Sequence, residues 1–597
     1  MRRQLTFKEI FFLSFGGQSP LLSLLTYGAV ALSLGGYLAP IILLIATLIV
    51  LANGMVVQRL SRRFTSAGGY YTYALHLLSE RMGFQTGWMY LFYSVLFGSA
   101  YVLGAVYVIN YVLGIPTIAV ALAISLPASA FLILGIRPSA KYALFSGMIE
   151  IGVMLAFFGT SVYLAHGTFY VPTAPPSDIG AGRFALAILF AMGIPTGFGA
   201  IAPMSGEVVN AAKVVGRAAV AVIVSGGMFA ALVVYGMVDL LVYKNVPIAT
   251  SGLAILSIVT DYFAGYSKYF VAAFLLGALS DGVLAMLSFS TATSRTIYKM
   301  GTDGTLPSSF SRLSRGQPMA ANALTAAVVL GVCITALLST TAATAFIALG
   351  TVSVLGGLFI HLAANFSLLR VGIRHARRLL GKGAELYGAL RGAALELLLS
   401  LAAATITALE LVFSATSTSL VYVTIFLTWI VVGYILMDVR EIVFRTPFLH
   451  SPEGVGRMDE LNVMQVRSAL PDVTVGLEDT VRSAVDRCLQ TDSAGAVVLN
   501  GQRPVAVFLL RDAMMLGDSE MSIKVRWGPL SSLVRVNENT RVPKIAELFR
   551  NTDAPIIAIV DRDGNFKGTV QEREIVRRFM APSDGGGSEV RRSVDST

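Results

Sequence analysis

From residue 9 to about residue 440 the chain is a succession of nearly uncharged apolar runs, each about 20 residues or longer, with only short polar interruptions. A hydrocarbon core of roughly 30 Å takes about 20 helical residues to cross, and in lipid each backbone N–H and C=O must find its partner inside the protein. Runs of this kind therefore fold as membrane-spanning helices. A mean hydropathy of +0.71 and a charged fraction of 13% over 597 residues place most of the chain in a bilayer. Twelve spans fit, at about 9–33, 37–58, 83–113, 116–136, 141–166, 183–211, 214–243, 267–298, 320–340, 343–371, 391–413 and 417–438. Past Arg440 charged and apolar residues mix as in a water-soluble domain. The expected division is a transmembrane domain over 1–440, a linker over 441–459, a folded module over 460–580 and a disordered Gly/Ser-rich tail over 581–597.

The net charge of +10 does not point to nucleic acid, because Lys and Arg stand at span ends. Arg2, Arg3, Lys8, Arg59, Arg62, Arg63, Lys141, Lys213, Arg217, Lys299, Arg370, Arg374, Arg377, Arg378 and Arg440 share one side when the spans alternate. The positive-inside rule makes that side the cytoplasm. An even number of spans then leaves both termini cytoplasmic, in a multi-pass protein of the plasma (inner) membrane. The start MRRQLTFKEI has no small-residue cleavage site and reads as a cytosolic arm. Cys333 and Cys488 are expected to be free thiols. No metal-ligand cluster, Walker motif or nucleophile elbow is present, so neither a metal site nor an enzyme is expected.

Two spans are interrupted in their middle. The first reads FFLSFGGQSPLLSLL, with Gly16, Gly17 and Pro20 at its centre, and the sixth reads FAMGIPTGFGAIAPMSGE, with Gly193, Pro195, Gly197, Gly199 and Pro203. A break at mid-depth survives where it lines a protein cavity. Breaks at corresponding positions of two halves mark a midplane binding site, because freed backbone groups and half-helix ends bind ions and carboxylates. Close packing of Gly-rich helices is the plainer explanation of the same residues.

These residues resemble the amino acid/polyamine/organocation superfamily of transporters, which has a LeuT-like five-plus-five inverted repeat with broken first and sixth helices. SAGGYYTYA at 66–74, GFGAIAPMSGEVVNAAKVVGRA at 197–218 and SRTIYKMGTDGTLPSSFSRLSRGQPMAANAL at 294–324 carry the resemblance. It implies a substrate site at Gly16, Gly17, Gln18 and Ser19 and at Gly197, Phe198 and Gly199, with Phe198 as the gating aromatic. Gly199 stands where the family often has Glu. Glu207 matches the acidic residue at the cytosolic end of the sixth helix, as a coupling or structural group.

Charged side chains inside a span are costly and mark functional candidates. Glu150, roughly 14 Å into the fifth span, is a candidate coupling residue, with a structural carboxylate as the alternative. Asp281 in the eighth span is a candidate for a substrate amine or cation, with a hydrogen-bonded structural Asp at the head of a shorter helix as the alternative. Ser288, Ser290 and Thr291 stand where sodium-coupled relatives have ion ligands, and the same hydroxyls also glue helices together. His361 and Glu410 read as packing or network residues.

Residues 460–580 hold two copies of helix, strand, strand, helix, with Thr480 matching Thr540 and Asp512 matching Glu574. They resemble a tandem cystathionine-beta-synthase (CBS) domain pair, an α/β module whose family often binds adenine nucleotides. The resemblance implies ribose-holding acids at Asp512 and Glu574, with Arg511 and Arg573 beside them, and ATP, ADP, AMP or cyclic di-AMP as regulatory ligand. Leu509 and Gln571 replace the family's Thr. A structural or homodimerising module is the alternative.

The function expected is a secondary active transporter in a lipid bilayer, carrying amino acids or related amines by proton-coupled symport or exchange. A proton or sodium is the coupling ion, and the CBS pair regulates. A potassium-like cation transporter of the same fold and a nutrient receptor are the rival readings.

Overall fold

The structure, a computed structural model, describes residues 3–172, 180–248, 253–314, 316–381, 383 and 385–442 of the apolar region. Beyond it residues 463–466, 472–491, 493, 495–513, 522–523, 530–531, 533–552 and 554–571 are described. The tail expected over 581–597 and nearly all of the linker 441–459 lie outside these residues. The chain divides into two compact units, Met1–Leu449 and His450–Thr597.

Ten helical stretches among the described residues are long and apolar enough to cross a membrane. The first, Phe7–Ser61, has 55 residues, more than one bilayer needs. It is interrupted twice. A hydrogen bond from Thr6 N to Glu9 Oε2 of 2.8 Å closes the start of α1 (Phe7–Gln18). Ser19 then takes the left-handed conformation, with φ 46°, and α2 (Pro20–Ser23) restarts the helix on a proline, whose missing N–H costs nothing at a first turn. A π turn at Leu24–Gly28 leads into α3 (Ala29–Gly35), and Gly36, with φ 56°, opens the turn into α4 (Ala39–Ser61).

Next come α5 (Tyr70–Leu77), α6 (Glu80–Leu113), α7 (Thr117–Leu134) and α8 (Ile136–Leu164). The following helix, α9 (Ala181–Met192), stops after 12 residues. Two 3-10 turns, Pro195–Ala200 and Ala202–Glu207, continue it. Pro195 and Pro203 remove donors that an α-helix would use there. The unit is completed by α10 (Ala211–Tyr243), α11 (Ala254–Tyr262), α12 (Ser267–Thr302), α13 (Met319–Ser339), α14 (Ala342–Gly381), α15 (Leu386–Ser417) and α16 (Leu420–Ile442). Helices α5 and α11 stand where the sequence reading has connections. With 8 and 9 residues they are too short to cross. Trp88 and Trp429 stack at 4.3 Å, and each indole N–H donates to the other's carbonyl, at 3.0 and 3.1 Å, which ties α16 to α6.

The second unit is a repeat. In each copy a three-residue strand runs parallel to the first strand of a hairpin: β1 (Thr474–Gly476) on β2 (Gly495–Asn500), and β5 (Arg535–Asn537) on β6 (Ile556–Val560). The hairpins close through β3 (Arg503–Leu509) and β7 (Phe566–Gln571), and β4 (Leu530–Ser531) extends the first sheet. Both hairpins bulge at the matching position, Val498/Leu499 and Ile559/Val560. Strand alternation explains the two cores. Val498 and Phe508 face α17 (Val481–Gln490), whereas Ile557 and Ile559 face α19 (Val542–Thr552). The intervening Val497, Val507, Leu509, Ile556 and Ala558 form one cluster between the copies. Buried Cys488 is a free thiol in the first core, and burial pushes it up to about 11. At the DRDG turn the Asn565 and Asp563 N–H groups bond Asp561 Oδ1 at 2.8 and 3.0 Å and hold that carboxyl below its usual range.

Ile559 is fully buried, so Ile559→Ala is expected to destabilise the second unit by about 2–5 kcal/mol. Protease protection of that unit in the full chain, followed against urea, reads this out. An unchanged midpoint would remove Ile559 from the core.

Candidate functional site

The two helix interruptions meet. A Cβ added at Gly197 would fall 2.3 Å from Gln18 N, and one at Gly17 would fall 2.8 Å from Ser288 Oγ and 3.3 Å from Gly197 O. Glycine is thus required where backbone passes backbone. The carbonyls laid bare by the breaks are met by side chains. Gln18 Nε2 donates to Pro195 O at 3.0 Å, Ser14 Oγ to Gly197 O at 3.5 Å, and Tyr90 OH to Gly199 O at 3.2 Å. The Gln18 carbonyl accepts from Ser23 Oγ at 2.5 Å and from Tyr101 OH at 3.1 Å. Ser19 Oγ lies 3.0 Å from both Gly16 O and Asp281 O.

Around this junction stand buried polar atoms without partners among the described residues: Gln18 Oε1, Ser288 Oγ, His361 Nδ1 and the hydroxyls of Tyr27, Tyr70 and Tyr93. Buried polar groups are nearly always bonded, so a cluster of orphans marks a candidate place for a ligand or water. Phe198 is buried and stacks on His361 at 5.2 Å, and Tyr70 meets the same imidazole edge-on at 5.2 Å. A Cβ at Gly199 would lie 2.9 Å from the Tyr93 hydroxyl, so a glutamate there would displace Tyr93.

Asp281 is fully buried and caps the second half of the broken helix, its Oδ2 accepting from Leu22 N at 2.8 Å. Glu150 lies within hydrogen-bonding reach of Asp281 and accepts from Ser146 Oγ at 2.8 Å. Ser290 and Thr291 are buried on α12, and among the described residues neither side chain bonds to the breaks. Glu207 closes the second break away from the junction, in an ion pair with Arg295 (Nε to Oε1 2.8 Å) whose partners are both 1% exposed. Arg295 also donates to Asn322 Oδ1 at 3.0 Å and to Gln317 Oε1 at 2.6 Å, so its guanidinium is well satisfied. The Glu207 carbonyl receives the N–H groups of Gln4 and Leu5, at 2.7 and 2.9 Å, which pins the N-terminal arm to the same point.

Sequence reasoning missed Ser14, Ser23, Tyr90, Tyr101 and the paired role of Arg295. The recurrence of Tyr90, Tyr93, Phe97 and Tyr101 on one face of α6 was the available signal. In the second unit Asp472 accepts from Thr569 N and Oγ1 at 2.8 and 2.7 Å, and Gln571 Nε2 donates to Ser493 Oγ at 3.1 Å. Of Arg511 and Asp512 only the backbone is described, at the start of a short helix, α18 (Leu510–Ala513). Arg573 and Glu574 lie outside the described residues.

A family model described as amino acid permease matches residues 9–450. The chain is 26% identical over 338 residues to the low-affinity putrescine importer PlaP of Escherichia coli K12, covering 52% of this chain and 69% of that protein. The C-terminal region resembles CBS domain structures. Among them are a hemolysin-like protein of Oenococcus oeni (16% identity, TM-score 0.20, 22% of this chain and 99% of that one) and a CBS domain protein of Pyrobaculum aerophilum solved with AMP (22%, 0.18, 19% and 90%).

Removing one member of the buried ion pair strands the other. Arg295→Met is expected to destabilise the protein by about 3–5 kcal/mol, and adding Glu207→Leu to recover the part owed to the stranded carboxylate but not the part owed to Asn322 and Gln317. Thermal melting of the detergent-solubilised chain measures both, and a single variant that melts like the wild type would show that the pair contributes nothing to stability.

Proposed function

We propose that this chain, which belongs to the amino acid permease family, is a secondary active transporter of small organic amines and amino acids, coupled to protons by symport or exchange. The meeting of the two helix breaks among orphaned buried polar atoms carries this reading. Counting Phe7–Ser61 as two passes and residues 181–207 as one broken pass gives twelve, in a five-plus-five inverted repeat. The Lys and Arg pattern supports cytoplasmic termini in the plasma membrane. Gly16, Gly17, Gln18, Ser19, Gly197, Phe198 and Gly199 form the substrate site, with Phe198 as its lid. Glu150 is the coupling residue, and Glu207 holds the inner end together.

Within that substrate range the geometry favours amines. A substrate carboxylate would bind at the start of α2, but Asp281 Oδ2 already accepts from Leu22 N there. What remains are Gln18 Oε1, which only accepts, the hydroxyls of Ser288, Tyr27, Tyr70 and Tyr93, which donate or accept, and the rings of Phe198 and Tyr93; the amide oxygen, the hydroxyl lone pairs and the ring faces suit an ammonium group. The name of the relative, a putrescine importer, supports the same choice.

The C-terminal unit is proposed to tune transport by holding an adenine nucleotide between its copies, with Asp512 and Glu574 on the ribose. Coupling of this kind is reciprocal: a nucleotide that shifts the transporter changes substrate affinity by the factor by which substrate changes nucleotide affinity.

Uptake of labelled putrescine, arginine and leucine into proteoliposomes tests the reading, with putrescine expected to enter fastest. Gly17→Ala is expected to weaken substrate binding, because the added methyl presses on Ser288 Oγ and Gly197 O, and a cooperative thermal melt checks that the variant is folded. Unaltered affinity in that variant would remove the first break from the site, and absence of uptake of all three would sink the substrate class. Calorimetry of the full chain with AMP, ADP, ATP and cyclic di-AMP, repeated on Asp512→Ala, decides the regulatory part, which fails if none binds.

A further inference from the structure

A chain of hydroxyls leads to Glu150. Ser146 Oγ bonds Glu150 Oε1 at 2.8 Å and Ser280 Oγ at 2.6 Å, and Ser280 Oγ bonds the Tyr142 hydroxyl at 3.0 Å. The donor order follows from valence. Glu150 Oε1 accepts, so the single proton of Ser146 is committed to it. Ser280 must then donate to Ser146, and Tyr142 to Ser280. Tyr142 is half-buried and follows Lys141 near the start of α8, whereas Ser146 is 7% and Glu150 2% exposed. The bonds thus run from the end of a helix to its buried middle, all pointing inward.

At the inner end stand two carboxyls. Among the described residues Glu150 Oε2 and Asp281 Oδ1 are buried and receive no donor, although the two side chains lie within hydrogen-bonding reach. Two carboxylate oxygens at that range need a proton between them. Among the described residues no Lys or Arg forms an ion pair with either. The other titratable groups facing the pair are Tyr142 on α8 and Tyr101 on α6. From the broken first helix the pair meets only backbone N–H groups, those of Leu21 and Leu22.

Resting on the transporter reading above, we propose that Glu150 and Asp281 form a single-proton site filled through the relay Tyr142–Ser280–Ser146, and that its occupancy is felt at the substrate site because Asp281 caps the second half of the broken helix. A proton taken from water at the Tyr142 oxygen displaces the tyrosine's own proton to Ser280. That serine passes its proton to Ser146, and Ser146 protonates Glu150. As many O–H bonds form as break, and the net change is one proton on the carboxyl pair. Glu150 and Asp281 then share it, Asp281 keeping its other oxygen on Leu22 N. Tyr142, Ser146 and Ser280 thereby become positioning residues for the proton, outside the substrate site.

The test needs no substrate. Difference infrared spectra of the purified full chain, taken after a pH jump, are expected to show one carboxylic C=O band that vanishes in both Glu150→Gln and Asp281→Asn. Its rise time is expected to lengthen about tenfold or more in Ser280→Ala and Tyr142→Phe, with the final amplitude kept. A band that survives in either carboxyl variant overturns the shared site, and unchanged rise times in both hydroxyl variants overturn the relay. Because wild-type uptake is measured separately, a protein that shows this band and carries no amine would refute the transport reading and leave the proton site standing.

Discussion

Backbone carbonyls exposed in the middle of a membrane protein have no water to bond, and this constraint shapes the first unit more than any other. Interrupting α1 and α9 frees the carbonyls of Gly16, Gln18, Pro195, Gly197 and Gly199, and each is answered by a named side chain. Because several of the donors come from the opposite break or from α6, the breaks are held in register by their own unsatisfied groups. The missing side chains at Gly17 and Gly197 let the strands approach closely enough for this to work.

Asp281 joins two layers of this arrangement. One carboxyl oxygen belongs to the restarted first helix, and the carboxyl lies within hydrogen-bonding reach of Glu150 on α8. A change at either carboxyl therefore reaches the junction of the two helix breaks through few bonds, the short, two-ended link that the proposed coupling needs. Glu207 plays a comparable part at the far end of the second break, where its side chain holds α12 and its carbonyl holds the N-terminal arm.

In the second unit the same period-two alternation serves both halves of each strand. One face closes on the copy's own helix and the other on the second copy, so neither copy buries its strands fully without its twin. Cross-copy bonds from Thr569 to Asp472 and from Gln571 to Ser493 add direction to an otherwise apolar contact. Gln571, which departs from the CBS family's Thr, is engaged in that contact.

Local chemistry was legible in the sequence: apolar runs of membrane length, the Gly/Pro interruptions, the buried charges and the hairpins of the C-terminal repeat all follow from properties of neighbouring residues. The three-residue strands β1 and β5 escaped because so short a run has no periodicity of its own and is stabilised only by its parallel partner. The same limit hid the roles of Asp281, Arg295, Tyr101 and Ser280. Composition marks each as polar at depth, but a hydrogen bond between residues on different helices has no trace along the chain. The depth of Asp281 in the eighth span left a substrate partner and a structural bond equally open, and its contacts with a helix start and a second carboxyl depend on how α1, α8 and α12 pack, because the position of a partner in space decides what a buried carboxylate can bond.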